Sequence, residues 1–308
     1  MFKNLPKQVK MVEVGPRDGL QNEKSFIETQ DKFTYIEKLI QAGLTHIEVG
    51  SFVNPDKILQ MKDTVELYKL LDAKFGKSGL NLICLVPNLT GLKSALSVNV
   101  KSIAVFTSTS NEFNKKNINA TIDESLVRIT EVMKIAKTEN LQVRGYVSTV
   151  FGCPYEGKTS VEELKRVLDK LFNLGVYEVS LGDTIGVATP AQVETIILEL
   201  KKSFDVNKLA LHFHDTLGMA VSNILVGLEN GVTIFDSSSG GLGGCPYAKG
   251  ATGNVTTEDV WYLLNSFNID TKINLDKLME ASNFILSKVN KETPSKFLQY
   301  KNKSGKKS

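Results

Sequence analysis

Eight short runs rich in β-forming residues recur along this chain, and a longer stretch with helical spacing of apolar residues follows each of them. The runs are 9–14, 45–49, 81–86, 102–106, 143–150, 176–181, 209–213 and 233–236. The helical stretches are 29–41, 57–74, 91–97, 122–138, 160–173, 190–203, 219–229 and 256–267. This alternation is typical of an α/β fold, and eight units in about 250 residues match a (β/α)8 TIM barrel. A doubly wound open sheet is the alternative, but it rarely needs eight regular units.

Local signals support several predicted helix ends. Thr159 or Ser160 stands where a helix N-cap is expected, and acidic residues occupy the turn that follows. Gly43, Gly175 and Gly231 follow helical stretches at positions where a left-handed residue is favoured. The helices are therefore expected to begin and end near these residues.

The barrel accounts for most of the 308 residues, and 274–290 is predicted to be an added C-terminal helix. We expect 1–296 to form a single barrel domain that includes this helix. The remainder, 297–308, is basic and is predicted to be a disordered tail. Because the net charge of +3 is concentrated there, no broad positive surface for nucleic acid or for a membrane is expected.

Cysteine usage and the N-terminus favour a cytoplasmic protein. Cys84, Cys153 and Cys245 lie far apart and cannot all pair, which favours a reducing compartment over a disulfide framework. The first ten residues, 1–10, do not resemble a signal peptide. No apolar run approaches the length of a membrane span.

Polar residues cluster where the predicted strands end, and in a barrel these ends converge on the face that carries the active site. The residues are Arg17 and Asp18 after the first strand, Glu48 and Ser51 at the second, Asp183 and Thr184 at the sixth, His212, His214 and Asp215 at the seventh, and Asp236 at the eighth. The sequence therefore predicts that several separate segments contribute to one site.

A divalent metal site is the function that these residues favour. His212 and His214 are two apart on a strand, so their side chains project in the same direction. Asp18 can add a carboxylate and Asn254 an amide oxygen, and this donor set suits six-coordinate Mg²⁺ or Mn²⁺ better than zinc. His46, at the start of the second strand, lies at the opposite end and is given no role.

The residues around this predicted site resemble the 3-hydroxy-3-methylglutaryl-CoA lyase family. The two hallmark segments are 12–23, VEVGPRDGLQNE, and 241–254, GLGGCPYAKGATGN. The segments 144–148, 152–158 and 180–186 are also similar to family segments, and the resemblance extends over roughly Pro6 to Lys296. It implies a metal-dependent retro-aldol cleavage of an acyl-CoA substrate, and a homodimer.

The resemblance implies that Asp18, His212, His214 and Asn254 are the metal ligands. Arg17 is expected to hold the thioester carbonyl oxygen and to neutralise the enolate that forms there. The alternative is that Arg17 only forms a salt bridge to Glu48 or to Asp183.

The remaining roles concern proton transfer and substrate contacts. Asp183 and Glu48 are the two candidates for the acid–base residue, and the sequence does not choose between them. Cys245 lies in the glycine-rich segment and is expected to protonate the enolate. Gln21, Ser51 and Tyr146 are expected to contact the substrate.

Other functions fit parts of the sequence. The segment 152–159 matches the phosphate-loop pattern GxxxxGK[ST], which would indicate a nucleotide-binding protein. Pro154 removes one amide donor from that segment, and Glu156 places negative charge where phosphates would lie. Related barrel aldolases and acyl-CoA condensing synthases of the isopropylmalate or homocitrate type share the arginine–aspartate and HxH features. A barrel that binds without catalysing is a further alternative.

Overall fold

The structure is a computed structural model that describes residues 5–244 and 253–304. Eight parallel strands close into a barrel in which each strand pairs with the next along the chain and β8 pairs with β1. The strands are β1 (Lys10–Glu13), β2 (His46–Ser51), β3 (Asn81–Leu85), β4 (Ser102–Ser108), β5 (Gln142–Ser148), β6 (Glu178–Asp183), β7 (Leu209–Phe213) and β8 (Ile234–Ser237). The prediction of a (β/α)8 barrel is confirmed.

Helices cover the outside of the barrel, and a π-helical turn over Gly15–Gly19 follows β1. They are α1 (Thr29–Gln41), α2 (Thr64–Phe75), α3 (Leu89–Ser97), α4 (Asn111–Ile118), α5 (Ile122–Thr138), α6 (Val161–Leu174), α7 (Pro190–Leu200), α8 (Ala220–Glu229), α9 (Thr257–Ser266), α10 (Leu275–Val289) and α11 (Lys296–Ser304). Among the described residues, each of these helices is too short or too polar to traverse a lipid bilayer.

The predicted capping signals are present. The Ser160 hydroxyl accepts a hydrogen bond from the backbone of Glu163 at 3.2 Å and begins α6. Gly43, Gly175 and Gly231 all have positive φ, at 99°, 98° and 90°. At Gly43 a side chain is also excluded by space, because a Cβ would lie 2.3 Å from a backbone carbonyl oxygen.

Two apolar layers form the core. The larger one lies between the sheet and the helices, and a smaller one fills the inside of the barrel. The inner layer consists of Val12, Val14, Ile83, Leu85, Ala104, Tyr146, Ala210 and Ile234. Fully buried charged side chains, among them Arg144 and Asp236, accompany this inner layer.

Two buried carboxylates hold the segment that follows β8. Glu13 on β1 accepts hydrogen bonds from the backbone of Ser239 at 2.9 Å and from the Thr257 hydroxyl at 2.7 Å. Glu258 on α9 accepts from the backbone of Gly240 at 3.0 Å. Burial raises the pKa of both carboxyl groups from 4.5 to about 7, against these hydrogen bonds. Glu13 therefore links β1 to the segment that follows β8, where the barrel closes, and Glu258 holds the same segment against α9.

The prediction of disorder for 297–308 is wrong for the residues up to Ser304, because they belong to α11. Leu298 is fully buried on this helix. Asp259 on α9 accepts from the Ser295 hydroxyl and from the backbone of Phe297, both at 2.9 Å. The basic residues near the chain end favoured the prediction of a solvated tail. However, Phe297 and Leu298, which precede them, pack this helix against α9.

The single tryptophan lies at this contact between α9 and α11. The ring centroid of Trp261 is 6.1 Å from that of Phe297. Its indole N–H donates to the carbonyl oxygen of Ile273 at 3.3 Å. Trp261 is therefore held by both the last helix and the segment before α10.

Candidate metal centre

Asp18, His212 and His214 meet at the C-terminal end of the barrel, as the sequence predicted. The Nε2 atoms of His212 and His214 lie 4.0 Å and 3.9 Å from Oδ2 of Asp18. Two ligands that are each about 2.1–2.2 Å from one ion can be at most about 4.4 Å apart. Both separations fit within that limit, and two imidazoles with a carboxylate are donors that bind divalent cations. These three residues therefore fit a metal ion.

The π-helical turn Gly15–Gly19 explains how Arg17 and Asp18 both reach the site. Turns of this kind are rare and often occur at functional sites. Gly19 allows the turn to pack closely, because a Cβ there would lie 2.8 Å from Cβ of Leu242. The turn thus places consecutive charged residues over the end of the barrel.

Asn254 lies at the edge of the cluster. Its backbone forms an antiparallel bridge with His214. Its amide nitrogen donates to Oδ2 of Asp18 at 2.9 Å and to the carbonyl oxygen of Leu242 at 3.2 Å. Asn254 therefore contacts a predicted ligand directly, with its amide nitrogen facing the carboxylate. That the side-chain oxygen of Asn254 binds the metal ion stays a prediction.

Arg17 links the metal cluster to a second group of polar side chains. Its Nη1 donates to Oδ1 of Asp18 at 2.7 Å and to Gln21 at 3.5 Å, and its Nη2 lies 2.6 Å from Oε2 of Glu48. Burial lowers the pKa of Arg17, but the carboxylates of Glu48 and Asp18 raise it above its ordinary value. The salt bridge to Glu48 that the sequence left open is therefore present. Among the described residues, Nε of Arg17 is buried and has no partner.

Within the part of the chain that the structure describes, only one of the two carboxylate oxygens of Glu48 has hydrogen-bond partners. The Tyr146 hydroxyl donates to its Oε2 at 3.2 Å, whereas Oε1 is buried without a partner among the described residues. Burial raises the pKa of Glu48, and Arg17 opposes this shift. An unpaired buried carboxylate oxygen is costly, which indicates that a missing group normally contacts it.

Asp183 and Ser51 are more fully engaged by the protein. The carboxylate oxygens of Asp183 accept from the backbone of Val187 and of Ala188, both at 3.0 Å. Burial raises the pKa of Asp183, against these two amides. The Ser51 hydroxyl donates to the carbonyl oxygen of Leu85 at 3.4 Å. Asp183 thus holds the turn after β6 as well as facing the cluster, whereas among the described residues Ser51 makes no hydrogen bond to the cluster.

Cys245 lies outside the described residues. The segment before it is tied to the turn after β1, because the Asn22 amide donates to the carbonyl oxygen of Gly244 at 2.9 Å. The role of Cys245 therefore rests on the resemblance of the sequence alone.

The phosphate-loop pattern does not form a phosphate cradle. The backbones of Cys153 and Gly157 bond to each other in both directions, at 2.8 Å and 2.9 Å. The amides of Tyr155 and Glu156 both donate to Sγ of Cys153 at 3.4 Å. Because these N–H groups are already used within the turn, they are not available to a nucleotide.

Asp236, which the sequence placed at the site without a specific role, forms a buried charge pair with Arg144 beneath the cluster. Asp236 on β8 lies 3.3 Å from Nδ1 of His212, and Arg144 on β5 donates to Asp236 at 2.7 Å and 3.2 Å. Burial raises the pKa of Asp236, but Arg144 lowers it below its ordinary range. Charged residues within otherwise apolar strands were the available signal, although sequence could not show that they meet.

The chain is similar to a group of known enzymes along almost its entire length. A family model described as HMGL-like matches residues 8–285. The chain is 47% identical over 294 residues to hydroxymethylglutaryl-CoA lyase YngG of Bacillus subtilis (strain 168), covering 96% of this chain and 97% of that protein. It is 48% identical over 295 residues to the mitochondrial hydroxymethylglutaryl-CoA lyase of Homo sapiens, covering 96% and 90%. It is 47% identical to a cytoplasmic 3-hydroxy-3-methylglutaryl-CoA lyase of Rattus norvegicus, covering 96% and 85%.

A solved structure shares both the fold and much of the sequence. It is that of an HMG-CoA lyase from Acinetobacter baumannii in complex with coenzyme A and 3-methylmalate. The two chains superpose with a TM-score of 0.90 at 34% identity, and the alignment covers 95% of each. The similarity therefore extends over the strands and turns that carry the cluster.

Proposed function

Because this chain belongs to the HMGL-like family, we propose that it catalyses the hydroxymethylglutaryl-CoA lyase reaction, EC 4.1.3.4. This reaction splits 3-hydroxy-3-methylglutaryl-CoA into acetyl-CoA and acetoacetate. The observation that carries the proposal is the junction of Arg17 with the Asp18, His212 and His214 cluster at the active-site end of the barrel. The coenzyme A bound to the Acinetobacter relative supports an acyl-CoA substrate.

The reaction breaks the bond between C2 and C3 of the acyl group. A base removes the proton from the C3 hydroxyl, the C3 oxygen becomes the ketone of acetoacetate, and the bonding electrons pass to C2 and the thioester oxygen. The enolate of acetyl-CoA that results then takes a proton at C2. When bound, a divalent cation such as Mg²⁺ or Mn²⁺ would acidify and orient the hydroxyl. Asp18, His212 and His214 would hold it, with Asn254 as a further ligand.

Arg17 is the residue proposed to stabilise the enolate. Its guanidinium is charged at every working pH and is already fixed by Asp18 and Glu48. The buried N–H at Nε has no partner among the described residues, so a thioester oxygen can take that position. Gln21 and Tyr146 contact the same salt-bridged group and would border the acyl chain, and Ser51 would do so from the end of β2.

Glu48 and Asp183 are the proposed proton acceptors. Glu48 has an unpaired oxygen and a salt bridge to buried Arg17, whereas both oxygens of Asp183 accept backbone amides. Glu48→Gln and Asp183→Asn should therefore each lower stability as well as turnover, because each removes a charge that buried groups hold. The Cys245 thiol is the proposed proton donor to C2, and it regains its proton from the carboxyl group that accepted the hydroxyl proton.

Acetoacetate release tests the proposed function. The purified chain should release acetoacetate from 3-hydroxy-3-methylglutaryl-CoA, and EDTA should stop the reaction until Mg²⁺ or Mn²⁺ is added. His212→Ala or Asp18→Ala should remove nearly all turnover together with the response to added metal. His46→Ala is the matched control, because this third histidine begins β2 at the other end of the barrel. Full activity in His212→Ala, or activity that EDTA leaves unchanged, would contradict the proposal.

We also propose a homodimer in the cytoplasm, with the barrel and its C-terminal helices as one domain. The homodimer is what the resemblance of the sequence to the lyase family implies. The Rattus relative named as cytoplasmic supports the location. Light scattering coupled to size exclusion measures the dimer, and fractionation of cells measures the location.

A further inference from the structure

A column of alternating charges runs inside the barrel to the base of the metal cluster. Nε of Arg144 donates to Glu178 on β6 at 2.7 Å, and its two terminal nitrogens donate to the two oxygens of Asp236. The Ser180 hydroxyl donates to Oδ2 of Asp236 at 2.7 Å. That same oxygen lies 3.3 Å from Nδ1 of His212. Arg144 and Asp236 are almost completely buried, at 0% and 1% exposure.

We propose that Asp236 is a positioning residue that fixes the ring and the tautomer of His212 for metal binding. A carboxylate held by three donors can only accept a further hydrogen bond, so Nδ1 of His212 must carry the proton. The lone pair is then left on Nε2, which is the atom that faces Asp18 at 4.0 Å. This inference rests on the proposed metal site. It adds that Arg144 and Ser180 act on that site through Asp236.

The two histidines differ in this respect. Nδ1 of His214 is buried and, among the described residues, has no hydrogen-bond partner. His212 is therefore the ligand whose orientation the protein sets with a carboxylate. Metal-bound histidines usually donate their second ring N–H in this way, and loss of the acceptor typically weakens metal binding about 10–100-fold.

Stability alone does not account for this column. Burying an arginine and an aspartate costs desolvation free energy, and replacing a buried ion pair by apolar residues of similar volume often leaves stability unchanged or raises it. A barrel interior is normally filled by branched apolar side chains. At its upper end the column makes a polar contact to His212. This contact gives the buried charges a function beyond stability.

Asp236→Asn tests the proposal with little change in shape. Arg144 requires an acceptor, so the asparagine oxygen should turn toward Arg144 and its NH₂ toward His212. Nδ1 then becomes the acceptor, the proton moves to Nε2, and that nitrogen can no longer bind a cation. We expect the affinity for Mn²⁺, measured by electron paramagnetic resonance on the full chain, to fall about 10–100-fold.

Glu178→Gln is the matched control, because it alters the other carboxylate on Arg144 and leaves the contact between Asp236 and His212 in place. Its Mn²⁺ affinity should stay within about threefold of the wild-type value, far less than the loss expected for a missing histidine acceptor. An equal loss in Glu178→Gln and Asp236→Asn would overturn the proposal, because the column would then act only through packing. Wild-type affinity in a folded Asp236→Asn would also overturn it.

A measurement on the wild-type chain keeps the proposal testable if Asp236→Asn does not fold. The chain has only three histidines, so their ring nitrogens can be resolved by ¹⁵N NMR in the Mg²⁺-loaded protein. His212 should carry its proton on Nδ1, and a proton on Nε2 would overturn the proposal. A wild-type chain that binds neither cation at this site would refute the proposed metal function as well, which separates the two failures.

Discussion

Arg17 carries more of the proposed chemistry than any other described residue, because it contacts both a proposed metal ligand and a candidate base. Its planar guanidinium contacts Asp18 with one terminal nitrogen and Glu48 with the other. The Nε atom has no partner among the described residues and is the donor proposed for the thioester oxygen. A lysine offers one ammonium in place of this planar fork and cannot occupy the three positions at once.

Arg17→Lys should therefore reduce kcat much more than it changes KM. Loss of one donor to a developing oxyanion typically lowers kcat about 100–1000-fold, and we expect a loss in that range. Steady-state kinetics with 3-hydroxy-3-methylglutaryl-CoA measure both constants. Arg166→Lys is the control, since that arginine is 48% exposed on α6 and pairs with surface carboxylates. A change confined to KM would contradict the role given to Arg17.

The residues that could be predicted at the site are those with a local signal. His212 and His214 are two apart on a strand, and Asp18 follows the first strand, so barrel geometry alone brings them together. The contact between Asp236 and Arg144 joins β8 to β5, and no spacing in the sequence encodes that pairing. Asn254 illustrates a further limit, because sequence gives the amide but not which of its atoms faces Asp18.

Elements were predicted best where periodicity and caps agree. The bounds of α1, α5 and β7 match the predicted ranges, and a Thr121 capping box begins α5. The helix α4 was missed because its sequence, NEFNKKNI, is polar and has little helical periodicity. Its N-cap, Ser110, was the available signal, since its hydroxyl accepts from the backbone of Phe113 at 3.0 Å.

The last helix should contribute measurably to stability, in contrast to the disordered tail that composition predicted. Leu298→Ala removes a fully buried side chain and should lower the free energy of unfolding by about 2–5 kcal/mol. Urea unfolding followed by circular dichroism measures this. Val127→Ala, at a position on α5 that is 61% exposed, should change it by less than about 0.5 kcal/mol. Equal effects of the two substitutions would mean that α11 does not dock in solution.

At the scale of the whole molecule, the buried carboxyl group that holds the segment after β8 against α9 couples stability to pH. The pKa of Glu258 is raised by burial from 4.5 to about 7 in the folded chain. Between these two values the folded state holds a proton that the unfolded state has lost. This contribution to stability is complete below pH 4.5 and is lost as the pH rises through about 7.

Glu258→Gln removes that titration while keeping a hydrogen-bonding group of similar size. The free energy of unfolding of the variant, relative to wild type, should improve between pH 5 and pH 8 by about 3 kcal/mol at most. Urea unfolding at both pH values measures the difference. Leu298→Ala controls for lost stability alone, because it removes no titrating group. A relative stability that is the same at pH 5 and pH 8 would contradict the raised pKa.

Trp261 is an intrinsic fluorescence probe that reports on one local contact. Its indole contacts the ring of Phe297 and donates to the carbonyl oxygen of Ile273. Intrinsic fluorescence excited at the tryptophan band will therefore report whether the terminal helix is attached. A thermal unfolding transition that has a lower midpoint by fluorescence than by circular dichroism would show that α11 detaches before the barrel unfolds.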